Sequence, residues 1–244
     1  MKQSDAQIVV VAADGAPGLP GQAGNVGALG VDGTPGRCQT SKGWWHKLDC
    51  DCAGNGNEGG PGGCGGTGGN GGNGASAPPF TLKYHTLTGS LLIWSQGGAG
   101  GEGGKGGAGG IGGTGGNGGT NAPECIDNVD KVPKCDMSVG GLGGYGGNGG
   151  AGGDAGNGGN GGDVTIGYYS AAPGNVVIQS PGGAAGAGGK SGDPGAGGKG
   201  GANEVPKGTD PTYGPQGANG GPSHPGQNGQ TGKNGTPVYK QLTD

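Results

Sequence analysis

Apolar residues come in short clusters with near-alternate spacing, and small polar residues fill the chain between them. The clusters are 8–12 (IVVVA), 80–87 (FTLKYHTL), 91–94 (LLIW), 164–169 (VTIGYY), 176–179 (VVIQ) and 238–242 (VYKQL). β-Branched and aromatic residues in such runs read as strands. The middle four flank Thr88-Gly89 and Pro173-Gly174-Asn175, which predicts two hairpins, 80–87 with 91–94 and 164–169 with 176–179. The first and last clusters supply one strand each, so about six short strands form a small β head. No segment predicts an α-helix of note.

Between the strands lie three excursions, 14–79, 96–162 and 181–236. Each has a glycine run, a non-repetitive segment and a second glycine run. The runs are 15–36, 59–74, 97–120, 140–163, 182–201 and 217–235, and residues 97–120 read Gly-Gly-X without a break. A period of three matches the polyproline II helix, with about 3 residues per turn and about 3.1 Å rise. Such a helix makes no internal hydrogen bonds, so its backbone groups must pair with neighbours or stay in water. Glycine lets backbones approach closely enough to pair, with X outward. Runs of 16–24 residues at that rise span roughly 50–75 Å. The expected fold is therefore mixed β and non-globular: about six antiparallel polyproline-II-like (polyglycine II) helices, with the β head at one end and irregular tips at the other. It is one domain with a threefold repeat, units 7–87, 88–169 and 174–242.

Composition limits the alternatives. Glycine occurs 76 times in 244 residues, and the aromatic fraction is 4%, too little for a large conventional core. Such chains are often disordered, but the strict triplet phase and matched run lengths argue for order. The 17 prolines are too few for a collagen composition. A net charge of −4 offers no basic surface for nucleic acid. No apolar stretch is long enough to span a membrane, and MKQSDAQIVVVAADG has too short an apolar core for a signal peptide.

The six cysteines, Cys38, Cys50, Cys52, Cys64, Cys125 and Cys135, are even in number and sit in or beside the loop-like segments. This favours disulfides and an extracellular or surface location. Cys125 and Cys135 enclose a short loop with no other cysteine nearby and are expected to pair; the other four form a second cluster. A zinc set of His46, Cys50, Cys52 and Cys64 is the weaker alternative, because Cys-X-Cys departs from the usual spacing. The nonapeptide-like stretch 158–166 (GGNGGDVTI) occurs once, whereas a calcium β-roll needs consecutive copies. Gly189-Lys190-Ser191 lacks the strand–helix frame of a phosphate loop. His46, His85 and His224 are scattered and the carboxylates imply no cleft, so no catalytic residue, metal or cofactor is expected. Asn234-Gly235-Thr236 is a glycosylation sequon beside the last strand.

Trp44, Trp45, His46 and Tyr213 in the turn segments are candidate binding tips, since aromatic side chains give large contact area at little entropic cost. Ile8, Val9 and Val10, with Val238 and Tyr239, are candidate assembly strands with open edges. Thr67, Asn70 and Asn73 would form a regular outward column.

Residues 14–38 (DGAPGLPGQAGNVGALGVDGTPGRC) and 59–74 (GGPGGCGGTGGNGGNG) resemble the polyglycine II bundles of springtail antifreeze proteins. The glycine-rich sandwich of phage tail-fibre tip adhesins is similar in style. Residues 158–189 (GGNGGDVTIGYYSAAPGNVVIQSPGGAAGAGG) resemble bacterial glycine-rich proteins loosely labelled collagen-like. The likenesses cover the glycine runs and speak for architecture more than activity. The expected function is that of a non-catalytic extracellular structural or adhesive protein. It would assemble through strand edges, with itself (as a filament) or with another surface or fibre protein, and display tip loops to a receptor or glycan. The alternative is ice binding by a flat bundle face, as the antifreeze resemblance implies.

Overall fold

The computed structural model describes residues 2–40, 48–126, 135–170 and 175–243. Its strands are β1 (Ile8–Val11), β2 (Arg37–Thr40), β3 (Leu48–Asp51), β4 (Phe80–Tyr84), β5 (Leu91–Gln96), β6 (Val164–Tyr168), β7 (Val176–Gln179) and β8 (Pro237–Gln241). Among the described residues the one α-helix is α1 (Pro123–Ile126), and no helix is long and apolar enough to cross a membrane. The rest is extended chain dominated by the glycine runs, numbered 1 to 6 in chain order.

Backbone hydrogen bonds order the runs into two layers. Runs 1, 3 and 5 lie parallel: Gly15, Gly18 and Gly21 donate to Ala99, Glu102 and Lys105, while Gly97, Gly100 and Gly103 donate to Pro181, Ala184 and Ala187. Runs 2, 4 and 6 form the returning layer in the same way, with Gly59 donating to Leu142 and Gly146 to Ala218. The layers are antiparallel and bond to each other, as in Gly107 to Gly66 and Gly150 to Gly107, both at 2.8 Å. A Cβ on Gly107 would overlap the carbonyl of Gln22, so this contact exists only because no side chain stands there. The bonded part of run 2 begins at Gly54 and that of run 6 at Gly214, earlier than the triplets suggest.

Each strand continues the layer of its run. Sheet β1-β5-β7 leads into runs 1, 3 and 5, and sheet β4-β6-β8 receives runs 2, 4 and 6; every pairing in both sheets is parallel. The two expected hairpins are therefore corrected. β4 and β5 lie in different sheets, as do β6 and β7. Outgoing and returning runs belong to opposite layers, so the strands joined by a turn face each other across a core instead of sharing an edge. The chain crosses after β4 through a turn with Gly89 at φ 87°. Between the sheets, Ile93, Val164, Ile166 and Val176 are buried, with Ile8, Phe80, Leu82 and Ile178 packed against them. Side chains here hold the layers apart, so hydrogen bonds between layers give way to apolar packing. Burial, and then Tyr168 and Tyr239 nearby, push the Tyr84 phenol above its ordinary pKa.

The asparagines and aspartates of the X positions have a structural task. An outward residue's own N–H points to the surface, and a side chain one run over accepts it. Asn70 and Asn73 accept from Asp154 and Asn157 of run 4; Asp154 and Asn157 in turn accept from Gln227 and Gln230 of run 6. Asp163, inside the nonapeptide-like stretch, accepts from Thr236 in the same way. At the edge formed by runs 5 and 6, Asn219, Asn228 and the sequon residue Asn234 cap the N–H groups of Gly197, Gly188 and Gly182.

Candidate functional site at the stapled tip

Three run-ends converge opposite the β sheets. Run 1 passes into the antiparallel pair β2–β3, in which Cys38 faces Cys50. Run 3 passes into α1, and run 5 into a turn closed by the Ala202–Tyr213 bridge, with Gly208 at φ 87°. The disulfides Cys50–Cys125 and Cys52–Cys135 join the first excursion to the second. The expected Cys125–Cys135 pair is corrected: the run 1–run 3 pairing places β2 alongside α1 and β3 pairs back onto β2, so both cysteines find partners across excursions. The expectation that all six cysteines pair is corrected too, since Cys38 and Cys64 are free thiols. Cys64 points outward from the middle of run 2, away from the tip, so the set of His46, Cys50, Cys52 and Cys64 is not assembled. Cys38 lies with its Sγ 3.7 Å from that of Cys50.

Asn121 ties all three excursions together and is 3% exposed. Its Oδ1 accepts from the Ala53 N–H at 2.7 Å, and its Nδ2 donates to the Asp136 carbonyl at 2.9 Å and to Glu204 Oε2 at 2.6 Å. Its backbone N–H donates to Glu204 Oε1 at 2.6 Å, and Ser138 N–H donates to Oε2 at 3.0 Å. The Glu204 carboxylate is thus held by three donors from the second excursion. Asn203 adds a clamp, accepting from Gly140 and donating to Thr212 Oγ1. Charge-assisted bonds are stronger than neutral ones, and a half-emptied network strands its remaining members. Asn121→Ala is expected to cost about 2 kcal/mol, read as a shift in the denaturant midpoint at unchanged slope.

Beside this hub lies a groove of about 650 Å³, walled by Pro123, Ile126, Met137, Val205 and Pro206 with Lys207 at its rim. A second depression of about 510 Å³ adjoins it at Asn117, between Thr114, Lys199 and Tyr213. Tyr213 is 63% exposed. Trp44, Trp45 and His46 lie outside the described residues. The candidate assembly strands are at the other end: Ile8, Val9 and Val10 on β1 and Val238 and Tyr239 on β8, each at a sheet edge but on opposite sides of the molecule. Sequence reasoning missed Asn121, Ser138 and Glu204. The available signal was the loss of triplet phase at Asn121 and Asn203-Glu204, where polar side chains replace glycine at a run-end.

No family model matches the chain, and no curated protein sequence matches it. Among solved structures, an antifreeze protein of the springtail Granisotoma rainieri is similar at 25% identity, over 89% of this chain and 93% of that one. It is described as a nine polyproline type II helical bundle whose crystal waters match the ice lattice. The TM-score is 0.12, so the two molecules do not superpose.

Proposed function

We propose that the chain is a non-catalytic extracellular protein in which six polyglycine II helices form a stiff spacer and present the stapled tip for recognition. The observation that carries this reading is the convergence of three excursions on Asn121, reinforced by two disulfides. A locked surface loses little entropy on binding. Rigidity is concentrated where a groove and an exposed tyrosine sit side by side. The apolar wall and polar rim suit a ligand with both characters, such as a glycan or a short peptide on another surface. The test is to screen the oxidised protein on glycan and peptide arrays, with Ile126→Glu as control. Retained ligands lost in Ile126→Glu support the reading. No retention, or retention indifferent to Ile126→Glu, contradicts it.

Ice binding is a second reading, favoured by one observation. Thr67, Asn70 and Asn73 form an exposed column on the returning layer, and both asparagines are fixed by backbone bonds to run 4. A rigid regular array of small groups suits a crystalline ligand. Mixed charges on the opposite face, where Lys105 pairs with Asp193 at 3.2 Å, suit it less. Thermal hysteresis that disappears in Thr67→Tyr would favour ice over the tip; its absence in the parent protein removes this reading.

A further inference from the structure

Run 1 differs from the other outgoing runs. Run 3 carries one outward column of side chains, whereas run 1 carries two exposed columns, because it has no neighbour on its far side. One column holds Ala16, Leu19, Ala28 and Val31, and the other Pro17, Pro20, Val26 and Leu29. Leu19 is 78% exposed, Val26 70%, Leu29 76% and Val31 68%. Residues 15–31 contain no charged side chain. The ridge is continuous with the solvent side of β1, where Val9 and Val11 are also exposed. Soluble monomers rarely leave so long an apolar strip in water.

We propose that this ridge is the contact between two copies of the chain, run 1 packed against run 1. Four features favour a second copy over another occupant. Leu19 and Val31 stand equidistant from Asn25, so an antiparallel two-fold contact centred there sets Leu19 against Val31 of the second copy and Gln22 against its Ala28. The carboxylates flanking it are engaged: Asp14 accepts from Ala99 N–H and Asp32 from Asn117 N–H, each at 2.7 Å. Both keep their charge but are held at the ends of the ridge, and the uncharged residues 15–31 between them neither steer a charged partner nor repel an identical copy. Pro17, Pro20 and Pro35 remove outward N–H groups that a dry contact would strand. A strip roughly 50 Å long and about 10 Å wide gives about 500 Å² per copy, or about 1,000 Å² in all, before the exposed side of β1 is added, at the lower end of specific interfaces. The opposite long edge is unlike it. There the Asn219, Asn228 and Asn234 side chains occupy three of the outward backbone donors of run 5, which disfavours edge-to-edge addition of runs beyond two copies.

The proposal is independent of what the tip binds. Sedimentation equilibrium of the oxidised protein, from low to high micromolar concentration, tests it together with Leu19→Asp combined with Leu29→Asp. Both side chains are exposed, so this variant is expected to keep the parent circular dichroism and melting temperature. The parent should approach twice the 22.6 kDa chain mass, and the double variant should remain monomeric, a loss of at least about 100-fold in affinity. A parent that stays monomeric throughout, a dimer that survives the two aspartates, or a mass that climbs past two copies overturns it.

Discussion

Replacing Gly107 by alanine is expected to destabilise the protein by about 3 kcal/mol or more, or to prevent folding. Gly107 lies mid-run, donates to Gly66, accepts from Gly150, and has the Gln22 carbonyl where its Cβ would stand. The added methyl must push the backbone of run 1 away from run 3, and both runs are bonded to further runs. In a conventional core a side chain can turn aside; here the obstructing atoms are main chain and cannot. Ala108, the next residue, faces solvent, and Ala108→Lys is expected to change stability by less than about 0.5 kcal/mol. Urea denaturation of the two variants reads the contrast. Equal effects at the two positions would contradict the layered arrangement.

Loss of Cys52–Cys135 is expected to cost about 3 kcal/mol, because with Cys50–Cys125 in place it closes a short loop through 50–52 and 125–135 in the unfolded chain. The bridge spans 83 residues, and Cys50–Cys125 spans 75. The bundle has few apolar contacts to absorb such a loss, and glycine-rich chain gains much entropy on unfolding. The combined Cys52→Ser and Cys135→Ser variant tests this without involving Cys38, which lies beside the other bridge. A change below about 1 kcal/mol in the denaturation free energy would mean that Cys50–Cys125 and the Asn121 network restrain the tip without the second bridge.

The six strands of the two parallel sheets were legible because β-branched and aromatic clusters stand out against glycine, whereas β2 and β3 at the tip carry no such cluster and were not. Strand partners were not. The turns after β4 and β6 resemble hairpin connections, but what separates β4 from β5 is the layer each has already joined through its run. That information is spread over the glycines, and a triplet such as Gly106-Gly107-Ala108 names no neighbour. The cysteines failed for the same reason. Proximity in sequence suggested Cys125 with Cys135, whereas the parallel pairing of runs 1 and 3 brings Cys125 to Cys50. The outward column of Asn70 and Asn73 was legible but its task was not: Asn70, Asn73 and Asn157 accept the outward N–H groups of adjacent runs. The tip hub was illegible because Asn121 and Glu204 lie in different excursions and meet only through the parallel alignment of runs 3 and 5.

Residue-resolved amide hydrogen exchange by NMR across 103–113 tests the layered bundle most directly. Gly103, Gly106, Gly109 and Gly112 donate to run 5, and Gly104, Gly107, Gly110 and Gly113 donate to run 2. The N–H groups of Lys105, Ala108 and Ile111 face outward and have no protein acceptor among the described residues. Two protected amides followed by one fast amide, repeated through the run, is the expected result. Uniformly fast exchange, or protection without a three-residue period, would contradict the bundle and with it the spacer on which the tip is displayed.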